Sequence, residues 1–127
     1  MNIRESITDA ILKIVEEAAP DVRWASRLRG ANRSDQIEGS ISCDRVDYTY
    51  KAKGLTFARA TYSIYLVDIN SLEGVDEQAD KVFVALHDRD IFGNCTKALI
   101  TSVQYGAAKE NSNVGVALLT LDIEYQI

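Results

Sequence analysis

Residues 117–127 alternate apolar and polar side chains without a break. Ala117, Leu119, Leu121, Ile123, Tyr125 and Ile127 fall on one face, and Leu118, Thr120, Asp122, Glu124 and Gln126 on the other, which is the two-residue period of a strand. A terminus frays unless secondary structure ties it down, so this segment predicts a closing strand with one face on a core. The chain is expected to end inside a sheet, with no tail left for targeting or for a disordered interaction motif.

Two helices are expected among the strands. Ile3, Ile7, Ala10, Ile11, Ile14, Val15 and Ala18 recur at three- and four-residue steps and make one apolar stripe over about residues 3–18. Asn2 and Glu5 have the spacing of a capping box with Asn in place of Ser or Thr, and Pro20 marks the end. A second stripe at Val75, Ala79, Val82, Phe83 and Leu86 predicts a helix over about 75–88, with Asp76, Glu77 and Asp80 near its N-terminus, where negative charge is favoured.

Between the helices, Val46, Tyr48, Tyr50 and Ala52 alternate with Arg45, Asp47, Thr49, Lys51 and Lys53 before a turn at Gly54. Ala60, Tyr62, Ile64 and Leu66 then alternate with Arg59, Thr61, Ser63 and Tyr65, so residues 45–68 read as a long antiparallel hairpin with its apolar face, including Tyr48, Tyr50 and Tyr62, on the core. Leu99, Thr101, Val103 and Tyr105 alternate with Ile100, Ser102 and Gln104, and a polar turn over Gly106 to Asn113 leads into the closing strand. Val22 to Trp24 is a further short strand candidate. Single-striped helices bury that stripe most simply against one face of a sheet. The expected class is therefore α+β: a mainly antiparallel sheet of about four strands, in two hairpins, with two helices packed on one face.

The 127 residues, 46% hydrophobic and 26% charged, suit a single domain, 1–127, burying about two-thirds of its unfolded surface. Apolar runs are only a few residues long and no basic-then-apolar leader is present, so a cytosolic chain without a membrane role is expected. Cys43 and Cys95 are far apart, with only His87 to join them, and are read as reduced thiols without a metal. The net charge of −5 speaks against specific nucleic-acid binding.

Residues 25–43 show neither period and read as a long loop, a feature that in compact domains is usually functional or disordered. Arg23, Arg27, Arg29 and Arg33 fall in or beside its first half with no acid among them; setting these four aside from the 14 basic residues leaves 10 against 19 acidic, a net −9 for the rest. Two readings fit: a solvated loop whose arginines pair with local acids, or contact with an acidic surface such as a neighbouring copy.

Catalytic chemistry finds little support. His87, the sole histidine, sits near a helix C-terminus, where a cation-tolerant structural role explains it. Asp88, Asp90 and Asn94 around Gly93 lack EF-hand spacing and its terminal Glu. Asp122 and Glu124 lie two apart on one strand face, where solvation or a cross-strand partner is simpler than glycoside chemistry. The chain contains no GxxxxGK[ST], HExxH or GxSxG, and no enzymatic activity, catalytic residue or cofactor is expected.

The order of elements resembles the tail terminator, or tail-completion, proteins of long-tailed bacteriophages and prophages. The resemblance runs over nearly the whole chain: an amphipathic N-terminal helix, a loop, a hairpin around Asp44 to Ile69, a helix with apolar residues at Val82 to Leu86, then Leu99-Ile100-Thr101-Ser102-Val103, a polar turn, and Leu121-Asp122-Ile123-Glu124-Tyr125. It implies a virion assembly protein that caps the tail tube as a ring, usually a homo-hexamer, stops polymerisation and offers the head-joining surface. The implied partners are further copies of the chain, a tail-tube protein and a head-completion protein, and the implied location is the virion tail, reached through the host cytoplasm. Arg27, Arg29 and Arg33, together with Arg59, Thr61, Ser63 and Tyr65 on the outward face of the 59–67 strand, are the expected interface residues. The alternatives are another neck or tail component, such as a head-completion or tube protein, and a small ligand-binding α+β domain.

Overall fold

The computed structural model describes residues 3–25, 37–52, 54–68, 72–89, 95–108 and 111–126. Helix α1 (Ile3–Ala18) is followed by β1 (Val22–Ala25), β2 (Ile37–Ala52), β3 (Leu55–Asp68), α2 (Leu72–Leu86), β4 (Cys95–Ala108) and β5 (Asn111–Gln126). The strands form one sheet in the order β1-β2-β3-β5-β4, and the closing strand lies inside it between β3 and β4.

The class is α+β as expected, but the sheet is mixed and has five strands rather than about four. The extra one is β1, which pairs in parallel with β2, Val22 opposite Ile37 and Trp24 opposite Gly39. A parallel pair cannot be closed by a tight turn, which accounts for the length of chain between Ala25 and Ile37. The loop expected over 25–43 is corrected at both ends: Ala25 closes β1, and residues 37–43 belong to β2. The polar turn expected from Gly106 to Asn113 is likewise mostly strand, since β4 runs to Ala108 and β5 starts at Asn111. Helix α2 begins three residues earlier than its apolar stripe, at Leu72.

A bulge explains why the first part of β2 reads as loop in the sequence. The β2–β3 register slips between Cys43 and Arg45, leaving Asp44 unpaired. Ile41 pairs with Ile64 and Cys43 with Tyr62 on the helix side; past the bulge, that side passes to Val46, Tyr48 and Tyr50. Asp44 is held outward: Ser42 Oγ donates to its Oδ1 at 3.0 Å and Ser63 Oγ donates to its Oδ2. A second slip between Ile100 and Ser102 resets β4, so Ala98 and Ile100 share the helix side with Val103 and Tyr105, while Leu99 faces the other way. This corrects the single uninterrupted alternation expected there.

The core lies between the sheet and the two helices. Ile7, Ile11, Val15 and Ala19 from the first helical segment and Val75, Ala79, Val82 and Leu86 from α2 meet Tyr62, Ile64, Leu66, Leu119, Leu121 and Ile123, all buried. Tyr62 ties β3 to α1: its hydroxyl donates to Arg4 O at 3.2 Å and lies 2.9 Å from Thr8 Oγ1. Burial pushes the Tyr62 phenol up to about 12, against the lowering effect of the Thr8 contact. An unfolded chain ionises this group near 10, so between these values it releases a proton that the folded chain keeps. Stability should therefore fall as pH rises through 10 and level off above 12, by about 2 kcal/mol in all. Urea titrations at neutral and alkaline pH should show that loss, and Tyr62→Phe, at a neutral-pH cost of about 1 kcal/mol, should flatten it.

Helix α2 is anchored at both ends. The buried Asp68 carboxylate lies directly against Gly74 in its first turn, where a Cβ would overlap Asp68 Oδ2 and negative charge suits the helix dipole. Asp88 takes a left-handed φ of 56° just past its C-terminus, and its N–H donates to Ala98 O at 2.8 Å.

The helices are much shorter than the strands they cover. A 16-residue strand extends about 53 Å and a 16-residue helix about 24 Å, so the helix layer leaves the end of the β2–β3 hairpin bare. Tyr48 and Tyr50 lie on the core side of the sheet but are 60% and 81% exposed. This corrects their expected burial. Only Tyr62 of the three is in the core.

Candidate functional site

His87 has a structural environment. Its Nδ1 accepts the Ile100 N–H at 3.1 Å and its ring stacks on Phe83 at 4.6 Å between centroids, closing α2 onto β4. Nδ1 thus serves as an acceptor, and the ring is committed to packing. Cys43 is a half-buried free thiol. Among the described residues no group of three or more His, Cys, Asp or Glu is placed to hold a metal ion. No described helix is long and apolar enough to cross a membrane.

The side chains with most to offer a partner lie on three surfaces. The first is the sheet face away from the helices. Register puts Arg59 beside Glu124, Thr61 beside Asp122, Ser63 beside Thr120 and Tyr65 beside Leu118 there. Arg59 Nη2 is 3.8 Å from Glu124 Oε2, and Thr61 Oγ1 donates to Asp122 Oδ1 at 3.1 Å. Asp47 joins this row through Arg45 at 2.9 Å. With Thr49, Phe57, Ala58, Arg59 and Glu124 it lines a shallow polar cleft of about 200 Å³. The four residues expected on the outward face of this strand do share one face. Their strand is central, however, with its backbone already paired on both sides by β2 and β5, so a contact there would use side chains alone.

The second surface is the bare hairpin end with Tyr48 and Tyr50. The third is a groove of about 430 Å³ between the end of α1 and the outer side of α2, lined by Ala18, Asp80, Lys81, Val84 and Ala85, with Val84 79% exposed. Sequence reasoning missed both. The signal for the tyrosines was their place four and six residues before the turn at Gly54, beyond the reach of a 16-residue helix. The signal for the groove was Val84, an apolar residue off the stripe of α2. Arg27, Arg29 and Arg33 lie outside the described residues. At the far end of the sheet, Glu38 is 5% exposed and its Oε2 has no hydrogen-bond partner among the described residues; the same holds for Gln78 Oε1 in α2.

No family model and no curated protein matches the chain. Among solved structures, a chain from the virion of a native gene transfer agent particle superimposes with a TM-score of 0.66 at 12% identity, over 95% of this chain and 92% of that one. At that identity the likeness is one of fold, across nearly the full length of both chains.

Proposed function

We propose that the protein is a virion structural and assembly component that closes into a homo-hexameric ring on the end of a tail tube. There it stops tail polymerisation and presents the surface to which a head-completion protein joins. The observation that supports this most is the shared fold with a virion chain over 95% of this one, which agrees with the order of elements in the sequence. Its activity is that of its interfaces, without catalysis. The −5 charge suits a lumen through which DNA passes without sticking.

In this reading Arg27, Arg29 and Arg33 reach an acidic face of the next copy, and Arg59, Thr61, Ser63 and Tyr65 offer a side-chain surface to a neighbour or to the tube. Replacing Arg27, Arg29 and Arg33 with alanine should weaken self-association at least tenfold with an unchanged unfolding midpoint; equal association would remove them from the interface. Solution mass by light scattering tests the ring itself. A discrete species near six subunits, weakened by salt, is expected. A monomer at every concentration and salt would overturn self-assembly in the absence of the tube.

A further inference from the structure

The hairpin end and the helix groove are two distinct surfaces of the same molecule. Tyr48 sits in the row of Ala58 and Tyr125 on the sheet, whereas the groove lies between Ala18 at the end of α1 and the flank of α2. Tyr48 and Tyr50 are 60% and 81% exposed, so a copy does not fill its own groove with its own tyrosines. We infer that Tyr48 and Tyr50 of one copy seat in the Ala18–Val84–Ala85 groove of the next. This deepens the ring reading and rests on it.

Charge favours a second copy as the occupant. Residues 48–58, the end of the hairpin, contain Lys51 and Lys53 and no acid, a net +2. Helix α2 carries Glu73, Asp76, Glu77 and Asp80 against Lys81, a net −3. Asp76, Glu77 and Asp80 are exposed; Asp80 and Lys81 are both on the groove wall, with Lys81 Nζ 3.7 Å from Glu77 Oε1, so the excess of negative charge lies on the helix around the groove. An acid-free aromatic knob and an apolar groove on a net-acidic helix fit each other better than either fits itself, since like surfaces would bring like charges together. Tyrosines also contribute much contact area at little entropic cost and are enriched at interface centres. A knob and a groove on different patches make a heterologous contact, which repeats around an axis and closes.

Heterologous contact makes a distinctive prediction for mixtures. Tyr48→Ala/Tyr50→Ala removes the knob and leaves the groove; Val84→Asp spoils the groove and leaves the knob. All three positions are exposed, so each variant should keep the wild-type unfolding midpoint, and circular dichroism checks this. Each variant alone should be monomeric in light scattering at concentrations where the wild type forms its ring, with self-association weakened at least a hundredfold. Mixed in equal amounts, they can form one intact contact, and the mass should rise to a dimer and no further. Rings formed by either variant alone would overturn the knob-and-groove contact while leaving the ring reading intact. A mixture that stays monomeric would overturn it too, as would one restoring full rings. A wild-type protein that never associates would remove both readings together.

Discussion

Leu121→Ala should destabilise the fold by about 3 kcal/mol, while Thr120→Ala, one residue away, should cost less than about 0.5 kcal/mol. Leu121 is fully buried on the helix side of β5, between Tyr62 on β3 and Ile100 on β4. Its truncation opens a cavity in the middle of the sheet, with close-packed neighbours on both sides that have little room to collapse into it. Thr120 faces the other way, opposite Ser63 and Ser102, where the sheet has no helix over it. Urea denaturation should show a lower midpoint at unchanged slope for the first variant and no shift for the second. Similar losses for both would mean that β5 is covered on both faces.

Gly39→Val should cost about 2–3 kcal/mol and loosen β1 from the sheet. Gly39 lies beside Trp24 in the parallel pair, and a Cβ there would fall 2.6 Å from Trp24 Cε3 and Cζ3 and 2.9 Å from Val22 Cγ1. The indole is not free to step aside, because Nε1 donates to Ala19 O at 3.1 Å, just past the end of α1. Forcing a side chain between them either breaks that bond or parts β1 from β2. As Trp24 is the only tryptophan, its emission reports the site directly: a red shift together with a lower midpoint is expected, and a variant with wild-type emission and stability would contradict the packing described.

Much of this architecture was legible in the sequence. The apolar stripe from Ile3 to Ala18 gave α1 its bounds, and the alternation from Ala117 onward gave the closing strand and the face it buries. The β2–β3 hairpin was legible only as far as its period held. At Asp44 an unpaired residue swaps inward and outward positions, so Ile37, Gly39, Ile41 and Cys43 are out of phase with Val46, Tyr48 and Tyr50. Glycine and serines among them weakened the strand signal further. The slip at Thr101 had the same effect in β4.

Tyr48 and Tyr50 show a different limit. Alternation tells which side of a sheet a residue takes, but burial needs a second layer over it, and helices rising about 1.5 Å per residue do not cover strands rising about 3.3 Å. The overhang that results turns two residues expected in the core into the most exposed aromatic pair on the hairpin. The groove at Val84 was hidden for a related reason: it joins the end of one helix to the flank of another, and neither segment carries a motif.

Electron microscopy of particles from a producing strain, with and without this gene, tests the capping role most directly. If the protein ends the tail, its loss should give headless tails of uncontrolled, excessive length, and the wild-type gene supplied in trans should restore particles of one tail length with heads attached. Particles with normal tails and joined heads in its absence would contradict the account.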